Sequence, residues 1–192
     1  MNYKYITGQV LEIAPTSGWT DGTLLQDIYP DSSFVSGNNP DSMQMKPEIK
    51  NRKVYANYSF PKRFEGGPGL VHGGILSAAL DDMMGYSTVI HNIFSVTANL
   101  SVNFLKPTPV EKDFDLYAWV KEVDNKKVYT EAVIQLGDQI HVEAHGMFID
   151  LNGKVHGLEN VYIVDASTFP RCSGVNPMIS IQSMSHFLMS KI

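Results

Sequence analysis

Two spacings of apolar residues divide the chain into predicted strands and one long predicted helix. Over residues 54–60, apolar and β-branched side chains alternate with polar ones, which predicts a strand with one buried face. From Gly73 to about Ile90 the apolar side chains recur every three or four positions, which predicts the longest helix of the chain. Alternation then returns and predicts four further strands, over residues 94–105, 114–123, 127–136 and 140–151.

Short links that contain proline, glycine or asparagine separate the four later strands, so we expect neighbouring strands to be antiparallel. The predicted helix is apolar around most of its surface, and such a helix is normally buried in the middle of a fold. We therefore predict an α+β domain in which a curved antiparallel sheet wraps around one long central helix. A strand at residues 158–164 and a helix at residues 178–191 are predicted as a C-terminal appendage.

One acidic side chain interrupts a stripe of small residues on the predicted helix. Ala78, Asp81 and Gly85 share that stripe, and a partly desolvated carboxylate in such surroundings suits a base. The helix starts at Gly73, whose backbone N–H has no intrahelical partner and lies in the positive potential of the helix dipole. Taken alone, each feature also has a structural explanation: a solvated acid, a turn glycine and, at His72, a packed histidine.

Four segments, in order, resemble the PaaI-type branch of the hotdog thioesterase superfamily. Residues 33–40 (SFVSGNNP) resemble the family's opening segment, with serines at both of its cysteine positions. Residues 64–74 (FEGGPGLVHGG) resemble its loop into the central helix, and Asp81 stands where the family keeps its catalytic acid. Residues 96–107 (VTANLSVNFLKP) match its Thr-x-x-Leu-x-Val-x-Phe-Leu-x-Pro strand. The resemblance implies the hotdog fold and the hydrolysis of acyl-CoA thioesters.

The same resemblance implies roles for individual residues. Asp81 is expected to act as general base or nucleophile, the Gly73 N–H as oxyanion donor, and Thr97 as the residue that orients the water from a partner subunit. Some members hold the carbonyl with an asparagine six residues before the motif histidine. That position is Gly66 here, so His72 is expected to share the task. Further substrate contacts are expected from Phe64, Gly74, Asn99 and Lys106.

Charge and cysteine content limit the classes of function. The net charge is −5 and no five like charges occur in a row, so the basic footprint of a nucleic-acid binder is missing. The single cysteine, Cys172, excludes an intrachain disulfide and fits a reducing compartment. We expect a cytoplasmic protein without a secretion signal, a membrane span, a metal site or a cofactor, with coenzyme A present only as part of the substrate.

Because coenzyme A is polyanionic, its binding needs local cations. The candidates, which the sequence does not rank, are Lys53, Lys62, Arg63, Lys106 and Lys121.

Residues 156–192 carry a second resemblance, to the C-terminal end of glucose–methanol–choline (GMC) oxidoreductases of the cholesterol-oxidase type. In that family a strand ending Val-Asp-Ala/Gly-Ser is followed by Pro, and then by Gly-x-Asn-Pro at a helix start beside FAD. No Gly-x-Gly-x-x-Gly segment follows a predicted strand, so we expect no bound FAD. The matching residues are Val164, Asp165, Ala166, Ser167, Pro170, Gly174, Asn176 and Pro177.

These observations predict an N-terminal extension (1–32), a hotdog thioesterase domain (33–155) and a GMC-like tail (156–192). The main prediction is an acyl-CoA thioesterase. The alternatives are a non-catalytic acyl-binding hotdog module and a C-terminal fragment of a fused FAD-dependent oxidoreductase. A hotdog hydratase is a weaker alternative, since its Asp/His helix pattern is not visible. Because the strand with Thr97 is predicted at a sheet edge, where a second copy can satisfy its open backbone groups, we predict a homodimer or homotetramer.

Overall fold

A computed structural model describes residues 19–25 and 41–151 of the chain. The predicted GMC-like tail, the predicted opening segment and most of the N-terminal extension lie outside these residues. Helix α1 spans Gly73–Val89, and a single 3-10 turn spans Lys62–Phe64. The strands are β1 (Glu48–Lys50), β2 (Lys53–Ser59), β3 (Glu65–Gly67), β4 (Leu70–Val71), β5 (Ser95–Phe104), β6 (Asp113–Asp124), β7 (Lys127–Leu136) and β8 (Gln139–Asp150).

Six of these strands form one antiparallel sheet, in the order β1-β2-β6-β7-β8-β5. Helix α1 packs on one face of the sheet and contacts β2, β5, β6, β7 and β8. The predicted α+β fold, a sheet wrapped around one long helix, is therefore confirmed. The sequence did not predict β1 or the β3–β4 pair, because β1 has only three residues and β3 is Glu-Gly-Gly, which carries no apolar alternation.

The alternating pattern of the long strands places one face of the sheet against α1. Along β6 and β7 every second side chain is buried, as a half-buried strand requires. On the helix, the fully buried side chains include Leu80, Met83 and Met84. Strand β8 makes room for the helix at Gly146, where a Cβ would lie 3.1 Å from the Met84 Sδ and 2.7 Å from a Phe148 ring carbon. The core thus lies between α1 and the sheet.

Strand β5 is an edge of the sheet, as the sequence predicted for the strand that carries Thr97. It pairs with β8 on one side, and no described strand pairs with its other side. Most of its side chains are exposed, in contrast to the regular alternation of β6 and β7. Within residues 19–25 and 41–151, no helix has both the length and the apolar character needed to cross a bilayer.

A phenol–carboxylate pair joins β2 to β6 on the face of the sheet that points away from α1. The Tyr55 hydroxyl donates to Asp115 Oδ1 at 2.8 Å, and Asn57 Nδ2 donates to the same oxygen at 3.0 Å. Burial, together with this hydrogen bond to a carboxylate, raises the pKa of Tyr55 to about 12.

Candidate active site

Asp81 and Thr97 meet where the middle of α1 passes the beginning of β5. The Thr97 hydroxyl donates to Asp81 Oδ1 at 2.9 Å, and both residues belong to the same chain. Asp81 is partly buried and Thr97 is exposed, so the pair lies at the surface of the domain. No other described residue hydrogen-bonds to the Asp81 carboxylate, which leaves its second oxygen open to solvent or to a ligand.

The first turn of α1 contains one backbone N–H without an acceptor. Ile75 and Leu76 donate to the His72 carbonyl at 3.0 and 3.2 Å, and Gly74 donates to the His72 side chain at 2.9 Å. The Gly73 N–H donates to no acceptor among the described residues. Such N–H groups at a helix start bind anions and developing negative charge. Gly73 therefore has the free donor that an oxyanion needs, whereas the Gly74 N–H is already engaged.

His72 caps this helix, and the cap defines the protonation pattern of its ring. Since the Gly74 N–H can only donate, His72 Nδ1 must accept and therefore carries no proton. The neutral ring then has its proton on Nε2. His72 is exposed and immediately precedes Gly73, so both donors belong to the same end of α1.

Gly66 is packed directly against His72 and leaves no space for a side chain. A Cβ at Gly66 would lie 2.8 Å from His72 Cα and 3.0 Å from its Cβ and Cδ2. The backbone also binds His72 to this loop, because the His72 N–H donates to the Phe64 carbonyl at 2.8 Å. Any side chain at position 66 must displace His72. Phe64 is partly buried against the core, and its predicted contact with substrate stays a prediction.

Asp81 and Gly73 of one chain are too far apart to act on one carbonyl. Eight residues of helix separate them, a rise of about 12 Å along the axis. A reacting carbonyl must lie about 3 Å both from its oxyanion donor and from the group that delivers the nucleophile. The sequence also predicted that Thr97 serves Asp81 from a partner subunit, whereas the structure places it against Asp81 of its own chain. Each chain therefore holds two separate half-sites.

Phe104 belongs to the second half-site, and the sequence analysis missed it. A Cβ on Gly73 would lie 3.2 Å from Phe104 Cζ, so the far edge of the ring covers the glycine. Strand β5 runs beside α1 with Thr97 next to Asp81 at one end and Phe104 next to Gly73 at the other. The sequence pointed to Phe104 only through the Val-x-Phe-Leu-x-Pro segment, and that segment does not indicate which residue the aromatic ring contacts.

The structure ranks the five cationic candidates. Lys53 lies over the Trp119 ring at 4.3 Å, Lys121 pairs with Glu131, and Arg63 donates to the Ser42 carbonyl at 3.0 Å. Lys62 and Lys106 are exposed and have no ion-pair partner among the described residues. Lys106 follows Phe104 closely and is held by its backbone N–H, which donates to the His141 carbonyl at 3.0 Å.

Asn99, the remaining predicted contact residue, is exposed on β5 next to a bulge in its pairing with β8. Its predicted contact with substrate stays a prediction. Among residues 19–25 and 41–151, no group of three metal-ligating side chains is close enough to hold a metal ion.

Comparison with known families agrees with the fold and the site. Residues 68–143 match the sequence model of the thioesterase superfamily, and this stretch contains both half-sites. The fold is the hotdog fold, and its central part is similar to the thioesterase superfamily. A solved protein of this superfamily is 27% identical to the chain, with a TM-score of 0.57 over 61% of this chain and 62% of that one. A hypothetical thioesterase of Streptococcus pneumoniae, solved as separate alanine variants of one threonine and one aspartate, is 14% identical with a TM-score of 0.53. It aligns with 62% of this chain and at least 96% of its own.

The hotdog domain also matches curated proteins of known name. The acyl-coenzyme A thioesterase THEM4 of Xenopus laevis is 33% identical over 89 residues, which are 45% of this chain and 40% of that protein. The chain spans about two fifths of the length of the curated relatives it matches.

A second family model, described as GMC oxidoreductase, matches residues 143–185. Its first residues lie in β8, which pairs with β7 on one side and β5 on the other. The rest of that match, beyond residue 151, lies outside the described residues.

Proposed function

We propose that this domain hydrolyses acyl-CoA thioesters in a site built from two copies of the chain. One copy supplies Asp81 and Thr97, and the other supplies Gly73 and His72. The observation that carries the proposal is the hydrogen bond from Thr97 to Asp81, two helical turns away from the unpaired Gly73 N–H of the same chain. Two complementary half-sites that cannot work together within one chain favour a symmetric pair of chains.

The relatives support the choice of substrate. The curated proteins that match are named acyl-coenzyme A thioesterases. In the Streptococcus pneumoniae thioesterase, the aspartate and the threonine chosen for replacement are sixteen positions apart. Asp81 and Thr97 have the same spacing and are in contact. We take this as support for a shared water-activating pair.

The Asp81–Thr97 pair has the groups needed to activate a water molecule. Because the Thr97 proton is directed at Asp81 Oδ1, the Thr97 oxygen keeps lone pairs that accept a hydrogen bond from water. The second Asp81 oxygen accepts the other proton of that water. As the water oxygen attacks the thioester carbon, Asp81 takes its proton as general base. The same open oxygen is also the atom that attacks directly if Asp81 acts as nucleophile.

The helix start of the second copy would then hold the carbonyl oxygen. The Gly73 N–H and the His72 Nε2–H donate to the oxygen as it becomes negative, and the dipole of α1 adds positive potential. When the tetrahedral intermediate collapses, the carbon–sulfur bond breaks and the proton held by Asp81 passes to the departing thiolate. The products are free coenzyme A and a carboxylic acid, which then releases its proton to solvent and becomes a carboxylate. Lys106 and Lys62 are the cations we assign to the phosphates of coenzyme A.

The exposed edge of β5 is where we place the second copy. Antiparallel pairing of two β5 strands satisfies the open backbone groups of both edges. The two ends of β5 carry opposite half-sites, so a two-fold axis near the strand centre brings Thr97 of one copy toward Phe104 and Gly73 of the other. We propose a homodimer as the smallest active unit, and pairing of dimers into a tetramer is compatible with it.

The test is a panel of short-chain, long-chain and aryl acyl-CoAs, with release of the free thiol of coenzyme A as the readout. We expect hydrolysis by the wild type and a loss of about 10²–10⁴-fold in kcat for Asp81→Asn. Asp82→Asn is the matched control, because Asp82 is rotated by about 100° around the helix and should change turnover little. Hydrolysis of no member of the panel, or unchanged turnover in Asp81→Asn, contradicts the proposal.

The GMC match supports a second candidate, a C-terminal fragment of a fused FAD-dependent oxidoreductase. No Gly-x-Gly-x-x-Gly segment follows a predicted strand in this chain, and such a segment is what holds the pyrophosphate of FAD. On that ground we propose that the purified chain is colourless. A preparation with flavin absorbance that releases FAD on denaturation would favour the second candidate over the thioesterase.

A further inference from the structure

Phe104 is an exposed aromatic residue at the end of β5 that lies directly against the start of α1. Its ring atoms Cζ, Cε1 and Cε2 lie 3.2, 3.5 and 3.7 Å from the position of a Cβ on Gly73. The residue is nevertheless 54% exposed. An aromatic ring is therefore held beside the one unpaired N–H of the helix start, with most of its surface facing solvent.

This position has two physical consequences. An exposed aromatic ring gains free energy when an apolar group covers it, at roughly 25 cal/mol per Å² of apolar surface removed from water. A backbone N–H also binds a developing oxyanion more strongly when water is excluded around it. A ligand whose carbonyl oxygen binds the Gly73 N–H has its neighbouring carbons close to Phe104. These carbons then bury the aromatic ring and exclude water from the Gly73 N–H.

We propose that Phe104 selects the acyl group. Its ring forms a wall for the carbons next to the thioester carbonyl, so the preferred substrates carry an apolar acyl group of several carbons rather than an acetyl group. This inference rests on the proposed function, because it requires the Gly73 N–H to hold the thioester carbonyl. It also accounts for glycine at position 73, since a side chain there pushes against the ring.

The first test compares kcat/KM on octanoyl-CoA and on acetyl-CoA. Phe104→Ala should lower the value for octanoyl-CoA about 10-fold more than the value for acetyl-CoA, because both substrates lose the exclusion of water at the Gly73 N–H but only the octanoyl group loses the apolar wall. Phe104→Leu, which keeps an apolar side chain without a group that reaches further toward Gly73, should lose less than Phe104→Ala. Leu105→Ala is the matched control, since Leu105 is 53% exposed and adjacent in sequence, whereas the three atoms nearest to a Cβ on Gly73 all belong to Phe104. An unchanged octanoyl-to-acetyl ratio in Phe104→Ala overturns the inference.

The second test does not depend on hydrolysis and separates this inference from the proposed function. Binding of coenzyme A and of its S-(2-oxodecyl) thioether, which keeps a carbonyl followed by an octyl group but has no thioester to hydrolyse, is measured by calorimetry for the wild type and Phe104→Ala. The octyl group should strengthen binding to the wild type, and Phe104→Ala should remove about 10-fold of that gain. One outcome is that the wild type hydrolyses no acyl-CoA while the stronger binding given by the octyl group still depends on Phe104. That result contradicts the proposed function but supports the contact between Phe104 and the acyl group. If the octyl gain is the same in both proteins, Phe104 does not contact the acyl group.

Discussion

The Thr97 hydroxyl donates to the Asp81 carboxylate across the gap between β5 and α1, at 2.9 Å. The bond links the edge strand to the central helix and leaves one carboxylate oxygen and the threonine lone pairs for a water molecule. Removal of the hydroxyl at constant shape should therefore cost activity. We expect Thr97→Val to lower kcat by about 10–100-fold, because the water loses one of its two acceptors, while KM changes little.

The control for this prediction is Thr97→Ser, which keeps the hydroxyl and should retain most of the activity. Both variants remove or exchange an exposed side chain, so thermal unfolding should be nearly unchanged. Wild-type kcat in Thr97→Val would show that Asp81 positions its water without the threonine.

The unpaired Gly73 N–H can be deleted with little disturbance of the helix. Proline has no N–H and is favoured at the first position of a helix, and the extended backbone of His72 (φ −61°, ψ 131°) suits a residue before proline. We predict that Gly73→Pro lowers kcat by about 10²–10³-fold, the usual cost of one oxyanion donor. Gly73→Ala adds a comparable Cβ next to Phe104 but keeps the N–H, so it should lose far less. Equal losses in both variants would assign the effect to the collision with Phe104.

Mixing two inactive variants tests whether one site uses two chains. Asp81→Asn and Gly73→Pro damage different half-sites, so a mixed dimer has one site with both changes and one intact site. After unfolding and refolding together, an equal mixture should recover about a quarter of wild-type activity. Each variant refolded alone should stay inactive. A mixture as inactive as its components would place the complete site within one chain.

Gly66 should be intolerant of any side chain, because His72 occupies the space. We expect Gly66→Ala to displace His72, weaken the Gly74 N–H to His72 Nδ1 cap and lower stability by about 1 kcal/mol, a typical cost for a lost cap. Turnover should fall in parallel, since the Nε2–H loses its position. Gly67→Ala is the control, since a Cβ there meets nothing within 4 Å. Chemical denaturation and thiol release on the same samples measure both effects.

The raised pKa of Tyr55 predicts that the free energy of unfolding falls at alkaline pH. Its pKa is raised in the folded protein from 10.0 to about 12, mainly by burial and then by the hydrogen bond to Asp115. The folded state therefore holds this proton more tightly than the unfolded chain. The contribution is fully present below pH 10 and is lost as the pH rises toward about 12. The free energy of unfolding of Tyr55→Phe should fall less over this window than that of the wild type. Tyr117→Phe removes one of the smaller causes of the raised Tyr55 pKa, so its loss of stability over this window should lie between those of the wild type and Tyr55→Phe.

The parts of the fold that depend on local periodicity were predicted well. Helix α1 was expected from Gly73 to about Ile90 and spans Gly73–Val89, because its apolar spacing and its glycine start are properties of neighbouring residues. Strand β1 was missed, since three residues show no period. Which side chains meet across elements depends on register, which no local pattern contains. For that reason the contact between Thr97 and Asp81 of the same chain was not expected, and Phe104 was not selected at all.

Strand β5 carries Thr97 at one end and Phe104 at the other, and its outer edge is open among the described strands. When the same edge both joins two chains and completes the site, mass action controls turnover. Specific activity then depends on protein concentration: it is constant well above the dissociation constant of the pair and falls on dilution below it. In the proposed site acyl-CoA contacts both copies, so it would bind the pair more tightly than the separated chains. Substrate therefore shifts the equilibrium toward the pair, and a diluted enzyme regains activity as substrate is added.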